Sequence, residues 1–316
     1  MFFRVVLPSS IEPKSYDLTI RPNLQPPFVF ESQVKVHASV NKTGIRFVTL
    51  HSKELHITSC KFDVDGKHVQ EMASVCYDIK ATTVTITFKE SFPVCDNATF
   101  TIDYYGVHND QMAGFYRSNY TGRHGKKTVM VSSQFEALDA RRCLPCFDEP
   151  ARKANFKVTL LVDEGLTALS NMPEISNTLL DDGKTRRVEF DESPVMSSYL
   201  LAFCVGDFDY VESKSEHGVL IRVYTPPGKK DMGLFSLQVA KDSLDLYDDL
   251  FAVPYPLPKL DMIAIPEFAM GAMENWGLVT YREVDVLIDE KKASSKQKQR
   301  VASVVAHEVS ILENSV

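Results

Sequence analysis

The amino-acid sequence predicts a mainly β region over residues 1–212, followed by a smaller mixed α and β segment over residues 213–316. Two observations support this division. Up to about residue 212 the apolar residues recur with the period of two that is typical of strands, and beyond residue 231 they recur at helical spacings. The length of 316 residues also fits about two domains.

Short alternating segments indicate strands throughout the first region. In residues 16–21 and 34–40 apolar side chains alternate with polar ones, and residues 84–88, 100–104 and 156–162 are further candidates. Turn-forming stretches such as Arg21-Pro22-Asn23 separate these segments. Many short strands without a helical period predict an antiparallel β domain, either a saddle or a sandwich.

The second segment begins with one more strand, residues 219–224, and then carries two predicted helices. The first runs from Asp231 to about Phe251, where Pro254 and Pro256 end the apolar pattern. The second starts at about residue 294 or 295 and extends to His307 and Glu308. Its solvated side is marked by Lys296, Lys298 and Arg300, and its buried stripe by Val301, Val304 and Val305.

Composition and charge narrow the class of protein. The chain is 44% hydrophobic and 24% charged, as in ordinary globular proteins, and its net charge of −7 argues against nucleic-acid binding. The sequence has no apolar run of about 20 residues, so we expect no membrane span. Arg4 and Pro8 interrupt the leading apolar residues, and the six cysteines are few for a disulfide scaffold. We therefore expect a cytoplasmic protein.

The stretch Gly271-Ala272-Met273-Glu274-Asn275-Trp276 is the sharpest local signal. A Gly-Ala pair beside a strand lets the backbone come close to a ligand, because no bulky side chain intervenes. The Glu274 carboxylate is suited to hold an ammonium group by charge-assisted hydrogen bonds. The alternative is a glycine-containing turn at a strand edge with a solvated acid.

A second acidic candidate lies in the first region. Strand alternation would place Gln134 and Glu136 on one face, so that both point into the same cleft. If Glu136 and Glu274 converge on one pocket, the two carboxylates repel each other when unpaired and select a cationic amine. The alternative is two exposed acids that never meet.

A third candidate is His307-Glu308 on the second helix. A helix that carries H-E-x-x-H presents two imidazoles at positions i and i+4, where they bind one zinc ion, and the glutamate serves as a general base. Here position i+4 is Ile311, which has no lone pair to offer a metal. A lone helical histidine is more often a packed or exposed residue than a ligand. The C-x-x-C pair Cys143 and Cys146 is interpreted as two buried or half-buried thiols.

With these residues the chain resembles the aminopeptidase N and puromycin-sensitive aminopeptidase family of zinc metallopeptidases, over nearly its whole length up to Glu308. The order of the motifs is the order found in the family. The stretches that carry the resemblance are Gly114 to Ser118 (GFYRS), Gln134 to Pro150 (QFEALDARRCLPCFDEP), Met196 to Phe203 (MSSYLLAF), Tyr255 to Leu260 (YPLPKL), Gly271 to Gly277 (GAMENWG), Tyr281-Arg282-Glu283 and Val301 to Glu308 (VASVVAHE).

The resemblance implies a fold and a set of roles. It implies a β saddle domain over residues 1–212, then a thermolysin-like catalytic domain from residue 213, and release of N-terminal amino acids from peptides with a free N-terminus. Zn²⁺ is the implied cofactor, with His307 as its first ligand and Glu308 as the catalytic general base. Substrate-binding roles are implied for Gln134, Glu136, Gly271, Ala272, Met273, Glu274 and Asn275, with Glu274 and its partner Glu136 on the substrate's α-amine.

The sequence departs from the family pattern directly after Glu308. Residues 309–316 (VSILENSV) abandon it, so the second and third zinc ligands are absent. We predict a chain truncated within the active-site helix and catalytically incomplete, with doubtful zinc binding. The alternative is a non-catalytic peptide-binding or scaffold module. We also expect Val301, Val304 and Val305 to lack partner helices.

Overall fold

The computed structural model describes residues 6–314, with the side chains of residues 6–312. The interpretation of Arg4 therefore lies outside the described residues. The strands of the first region are β1 (Ile11–Pro22), β2 (Val29–Val40), β3 (Phe47–His51), β4 (His56–Val64), β5 (Lys67–Asp78), β6 (Thr83–Phe88), β7 (Cys95–Val107), β8 (Gly114–Thr121), β9 (Lys127–Gln134), β10 (Asn155–Asp163), β11 (Thr167–Ser170), β12 (Glu174–Leu179), β13 (Thr185–Phe190) and β14 (Phe203–Gly206).

The first region is built from two sheets. A long sheet has the strand order β12-β13-β10-β1-β2-β7-β4-β5-β6-β3, and a shorter sheet has the order β11-β14-β9-β8. The alternation that predicted β1 is confirmed, because Tyr16, Leu18 and Ile20 are buried while the residues between them are partly exposed. Most pairs are antiparallel, as predicted, but β1 pairs with β10 in parallel.

The second region contains one sheet and three helices among the described residues. Its elements are β15 (Asp209–Lys214), β16 (Leu220–Thr225), α1 (Leu234–Phe251), β17 (Lys259–Ile265), β18 (Ala272–Met273), β19 (Leu278–Arg282), α2 (Glu283–Val286) and α3 (Ser295–Asn314). The strand order is β15-β16-β17-β19-β18. A mainly β region followed by an α+β region confirms the predicted fold class. Because β15 belongs to this sheet, the boundary predicted at residue 212 falls inside a strand.

Helix α3 begins where the sequence predicted it, for a local reason. The Gln297 N–H donates to the Ser294 hydroxyl oxygen (3.3 Å), and the Ser294 N–H donates to Gln297 Oε1 (2.9 Å). This reciprocal pair is a capping box, which satisfies backbone donors that the first turn leaves free.

The apolar stripe of α3 is covered, contrary to our expectation. Val301 and Val305 are fully buried and Val304 nearly so. Helix α3 packs against α1 and α2 and contacts β18. The sequence could not show this, because the covering elements are separated from α3 by up to about 80 residues. In the described residues, no helix is both long and apolar enough to cross a membrane.

Candidate functional site

The Gly271–Trp276 stretch forms an edge strand and the turn that follows it. Strand β18 pairs with β19 on one side, with Ala272 opposite Tyr281 and Met273 opposite Thr280, and it is the last strand in that sheet's order. The Arg282 N–H donates to the Gly271 carbonyl (3.0 Å). The backbone around Gly271 is therefore held at a sheet edge, where a ligand can approach it.

The turn after β18 separates buried from accessible side chains. Met273 and Asn275 are buried, and the Asn275 amide donates to Thr280 Oγ1 (3.2 Å). Glu274, between them, is half-buried. Met273 and Asn275 thus stabilise the turn from inside, and Glu274 is the member of the motif with a carboxylate available to a ligand.

Glu136 lies in the first region, immediately after β9. The strand ends at Gln134, so the alternation that placed Gln134 and Glu136 on one face does not reach Glu136. Phe135 is fully buried, with its ring centroid 5.9 Å from that of Phe203, and Glu136 is exposed. Gln134 is buried, and its Oε1 has no hydrogen-bond partner among the described residues. A turn anchored by Phe135, rather than a continued strand, positions the Glu136 carboxylate.

The two acids come together in the folded chain. The pKa of Glu136 is raised, first by partial desolvation and then by the negative charge of Glu274. The pKa of Tyr199, a half-buried residue of the first region, is raised by burial and by both carboxylates. Glu136, Glu274 and Tyr199 therefore lie near one another at the junction of the two regions, and we call this group the acidic cluster. Tyr199 stands in the Met196 to Phe203 stretch that carries the resemblance, but the sequence did not predict that it lies near the two acids.

Helix α3 places a third carboxylate near this acidic cluster. Glu308 is buried, its Oε2 has no partner among the described residues, and its pKa is raised to about 7 by burial and by the charges of Glu274 and Glu136. Burial, together with the charge of Glu308, raises the pKa of Tyr281 on β19. Tyr281 stands in a quoted motif, but its proximity to Glu308 could be found only from the fold.

The donor set does not fit a catalytic zinc ion. A catalytic zinc site takes three protein ligands. His307 is exposed, and the position four residues later is the hydrocarbon side chain of Ile311. Within residues 6–312, no group of three or more His, Cys, Asp or Glu side chains is arranged to hold a metal ion. Cys143 and Cys146 are buried free thiols, which agrees with their interpretation from the sequence, and burial raises the pKa of both.

Comparison with known protein families gives a match for each of the two regions. Residues 12–200 match the Peptidase M1 N-terminal domain, and residues 235–310 match the Peptidase family M1 domain. Glu136 of the acidic cluster lies in the first match, and Glu274 and Glu308 lie in the second.

Curated relatives extend this similarity to almost the whole chain. Aminopeptidase M1-B of rice is 47% identical over 307 residues, which is 96% of this chain and 34% of the relative. Puromycin-sensitive aminopeptidase of Caenorhabditis elegans is 43% identical, over 97% of this chain and 32% of the relative. The alanine/arginine aminopeptidase of yeast is 42% identical, over 97% and 35%. The chain spans about a third of the length of the curated relatives that it matches.

Proposed function

The chain belongs to the M1 family of peptidases, and on that basis we propose that residues 1–316 bind the free N-terminus of a peptide. The α-ammonium group is held between the carboxylates of Glu136 and Glu274. The observation that carries the proposal is the electrostatic coupling of these two acids across the two regions. An ammonium ion between them offsets their mutual repulsion and donates charge-assisted hydrogen bonds to both carboxylates.

The position of β18 indicates where the rest of the peptide binds. Its free edge offers the backbone N–H and C=O groups of Ala272, to which an extended peptide can add as a further strand. Gln134 Oε1, which has no partner in the described part of the chain, is proposed as a further acceptor for the peptide. A blocked N-terminus has no charge to place between Glu136 and Glu274 and is rejected.

The second part of the proposal is binding without cleavage. Zinc in this family lowers the pKa of a bound water and polarises the scissile carbonyl. Here His307 is a single imidazole, and Ile311 occupies the position where the family motif needs the second. The residues present therefore support the amine-binding half of an aminopeptidase site, with Glu308 in the position of the family's general base. The free cysteines support a reducing, cytoplasmic location.

Calorimetry tests the binding part directly. A tripeptide with a free N-terminus should bind to the purified chain, and the same tripeptide with an acetylated N-terminus should bind at least about tenfold more weakly. Equal affinities would refute the proposal.

A fluorogenic aminoacyl-amide assay with added zinc tests the absence of cleavage. We expect no turnover above that of a Glu308→Ala variant. Turnover that Glu308→Ala abolishes would show that the donor-set argument is wrong.

A further inference from the structure

One buried side-chain amide joins the two regions next to the acidic cluster. Asn171 follows β11 in the first region and is 2% exposed. Its Nδ2 donates to the carbonyl of Leu200 (2.8 Å) and to the carbonyl of Trp276 (2.8 Å), and its Oδ1 accepts from the Ala202 N–H (2.8 Å). All hydrogen-bonding positions of this side chain except one acceptor lone pair are thus used, and one bond crosses to the second region.

The residues to which Asn171 is hydrogen-bonded are close in the chain to members of the acidic cluster. Leu200 follows Tyr199 directly, and Trp276 lies two residues after Glu274. A single carboxamide therefore fixes the Tyr199 segment and the Glu274 turn relative to each other. A water molecule or a flexible side chain in its place would leave that distance free to vary.

Gly277 and Lys259 pack closely around the hydrogen bond between Asn171 and Trp276. Gly277 has a φ of +72°, and a Cβ added there would overlap the carbonyl oxygen of Asn171. The buried Lys259 ammonium donates to the carbonyls of Ser170 (2.9 Å) and Gly277 (2.7 Å) and pairs with Asp261 (2.7 Å). Two side chains and one glycine thus hold residues 170–171 against residues 276–277.

Asn171 is also connected to Glu136 through a continuous sheet. Ser170 pairs with Phe203 of β14, and Cys204 of β14 pairs with Ser132 of β9. The Ser133 hydroxyl accepts from the Phe203 N–H (3.0 Å). Asn171 follows β11 and Glu136 follows β9, and both strands belong to the same sheet. The connection from Glu136 to Glu274 therefore runs through strand pairs and through the hydrogen bond of Asn171 to Trp276.

We propose that Asn171 is a positioning residue that sets the separation of Glu136 from Glu274 across the junction of the two regions. The meaning of that separation for peptide binding rests on the proposed function above. The geometric role itself does not, and it is measured without a peptide.

The test measures the pKa of Glu136 by carboxyl-carbon NMR titration. In the wild-type chain, Glu274→Gln should lower this pKa, because it removes a neighbouring negative charge. In an Asn171→Ala background the lowering should shrink by at least about half, because a loosened junction lets the two groups separate. Asn171→Ser, which keeps one hydroxyl, is measured alongside in case the alanine variant does not fold.

The matched control is Asn155→Ala. Asn155 donates one amide hydrogen bond to the Ser193 carbonyl (2.8 Å), so this side-chain bond stays inside the first region. This variant should be less stable than the wild-type chain. In it, Glu274→Gln should still lower the pKa of Glu136 by the full amount. The proposal is overturned if Glu274→Gln lowers the pKa of Glu136 as much in a folded Asn171 variant as in the wild-type chain. It is also overturned if Glu274→Gln leaves this pKa unchanged in the wild-type chain. If the wild-type chain shows the coupling but binds no peptide, the proposed function fails and the role of Asn171 stands.

Discussion

The pKa of Glu136, on the turn after β9, is raised first by burial and then by the negative charge of Glu274, on the turn after β18. The two residues are 138 positions apart and belong to different regions, so this relationship exists only in the folded chain. Like charges held together lower stability unless a cation lies between them, and sites that sacrifice stability in this way are typically functional.

We expect single neutralising substitutions in this pair to weaken the binding of peptides with a free N-terminus. Glu274→Gln should reduce affinity about 10- to 100-fold, since a hydrogen bond to a charged group contributes about 1.5–3 kcal/mol. Calorimetry with a free tripeptide measures the loss. The exposed Glu164→Gln is the matched control and should change affinity less than twofold; a similar loss there would indicate a general charge effect.

Restoring the second imidazole should restore metal affinity. In Ile311→His the new ring lies one helical turn from His307 on the same face of α3, so the two can share one zinc ion. We expect zinc affinity, measured by competition with a chromophoric chelator, to rise at least about tenfold. The double variant His307→Ala with Ile311→His should lose the gain. An unchanged affinity in a folded Ile311→His variant would show that the single missing ligand is not the reason for poor fit.

Two buried histidines should make the first region sensitive to acid. Burial lowers the pKa of His51 to about 4 and that of His108 to about 3. Below an unfolded-state pKa of about 6.5, the unfolded chain binds protons that the folded chain does not, so stability falls as pH decreases from about 6.5. At pH 5, each histidine should have lowered the unfolding free energy by about 2 kcal/mol.

The variant His108→Phe isolates one of these contributions. His108 is fully buried against Phe30 and Phe115, so phenylalanine keeps an aromatic ring in that place. Urea unfolding measures the loss of unfolding free energy between pH 7 and pH 5. This loss should be about 2 kcal/mol smaller in the variant than in the wild-type chain. An identical pH dependence in the two proteins would contradict the assignment of a neutral buried imidazole.

The capping box of α3 gives a prediction for stability alone. Ser294→Ala removes the acceptor for the Gln297 N–H and should lower the unfolding free energy by about 1 kcal/mol. Ser295→Ala, one residue later, should change it by less than about 0.5 kcal/mol. Chemical denaturation of the two variants makes the comparison, and equal losses would show that the cap does not stabilise the helix.

The sequence predicted those features that depend on neighbours in the chain. The alternation of Tyr16, Leu18 and Ile20 located β1, and Ser294 located the start of α3, because strand period and helix capping are local properties. Glu136 and Glu274 were identified as candidates, but strand alternation gave the wrong reason for the placement of Glu136. A turn at Phe135, with its ring packed near Phe203, decides that placement.

The features that sequence reasoning missed depend on contacts between distant segments. The parallel pairing of β1 with β10, the cover over Val301 and Val305, and the approach of Tyr199 to the two acids all join residues far apart in the chain. Asn171 likewise looks like an ordinary loop asparagine until the fold places the Trp276 carbonyl beside it. Periodicity carries no information about such contacts.

A double-mutant cycle on peptide affinity tests most directly whether Glu136 and Glu274 hold one amine together. The affinities of the wild-type chain, Glu136→Gln, Glu274→Gln and the double variant for one free tripeptide give the coupling between the two side chains. We expect the two effects to be non-additive by at least about 1 kcal/mol, as for residues that contact a common partner. Additive effects, within about 0.3 kcal/mol, would mean that the two carboxylates act on separate groups and would contradict the shared amine site.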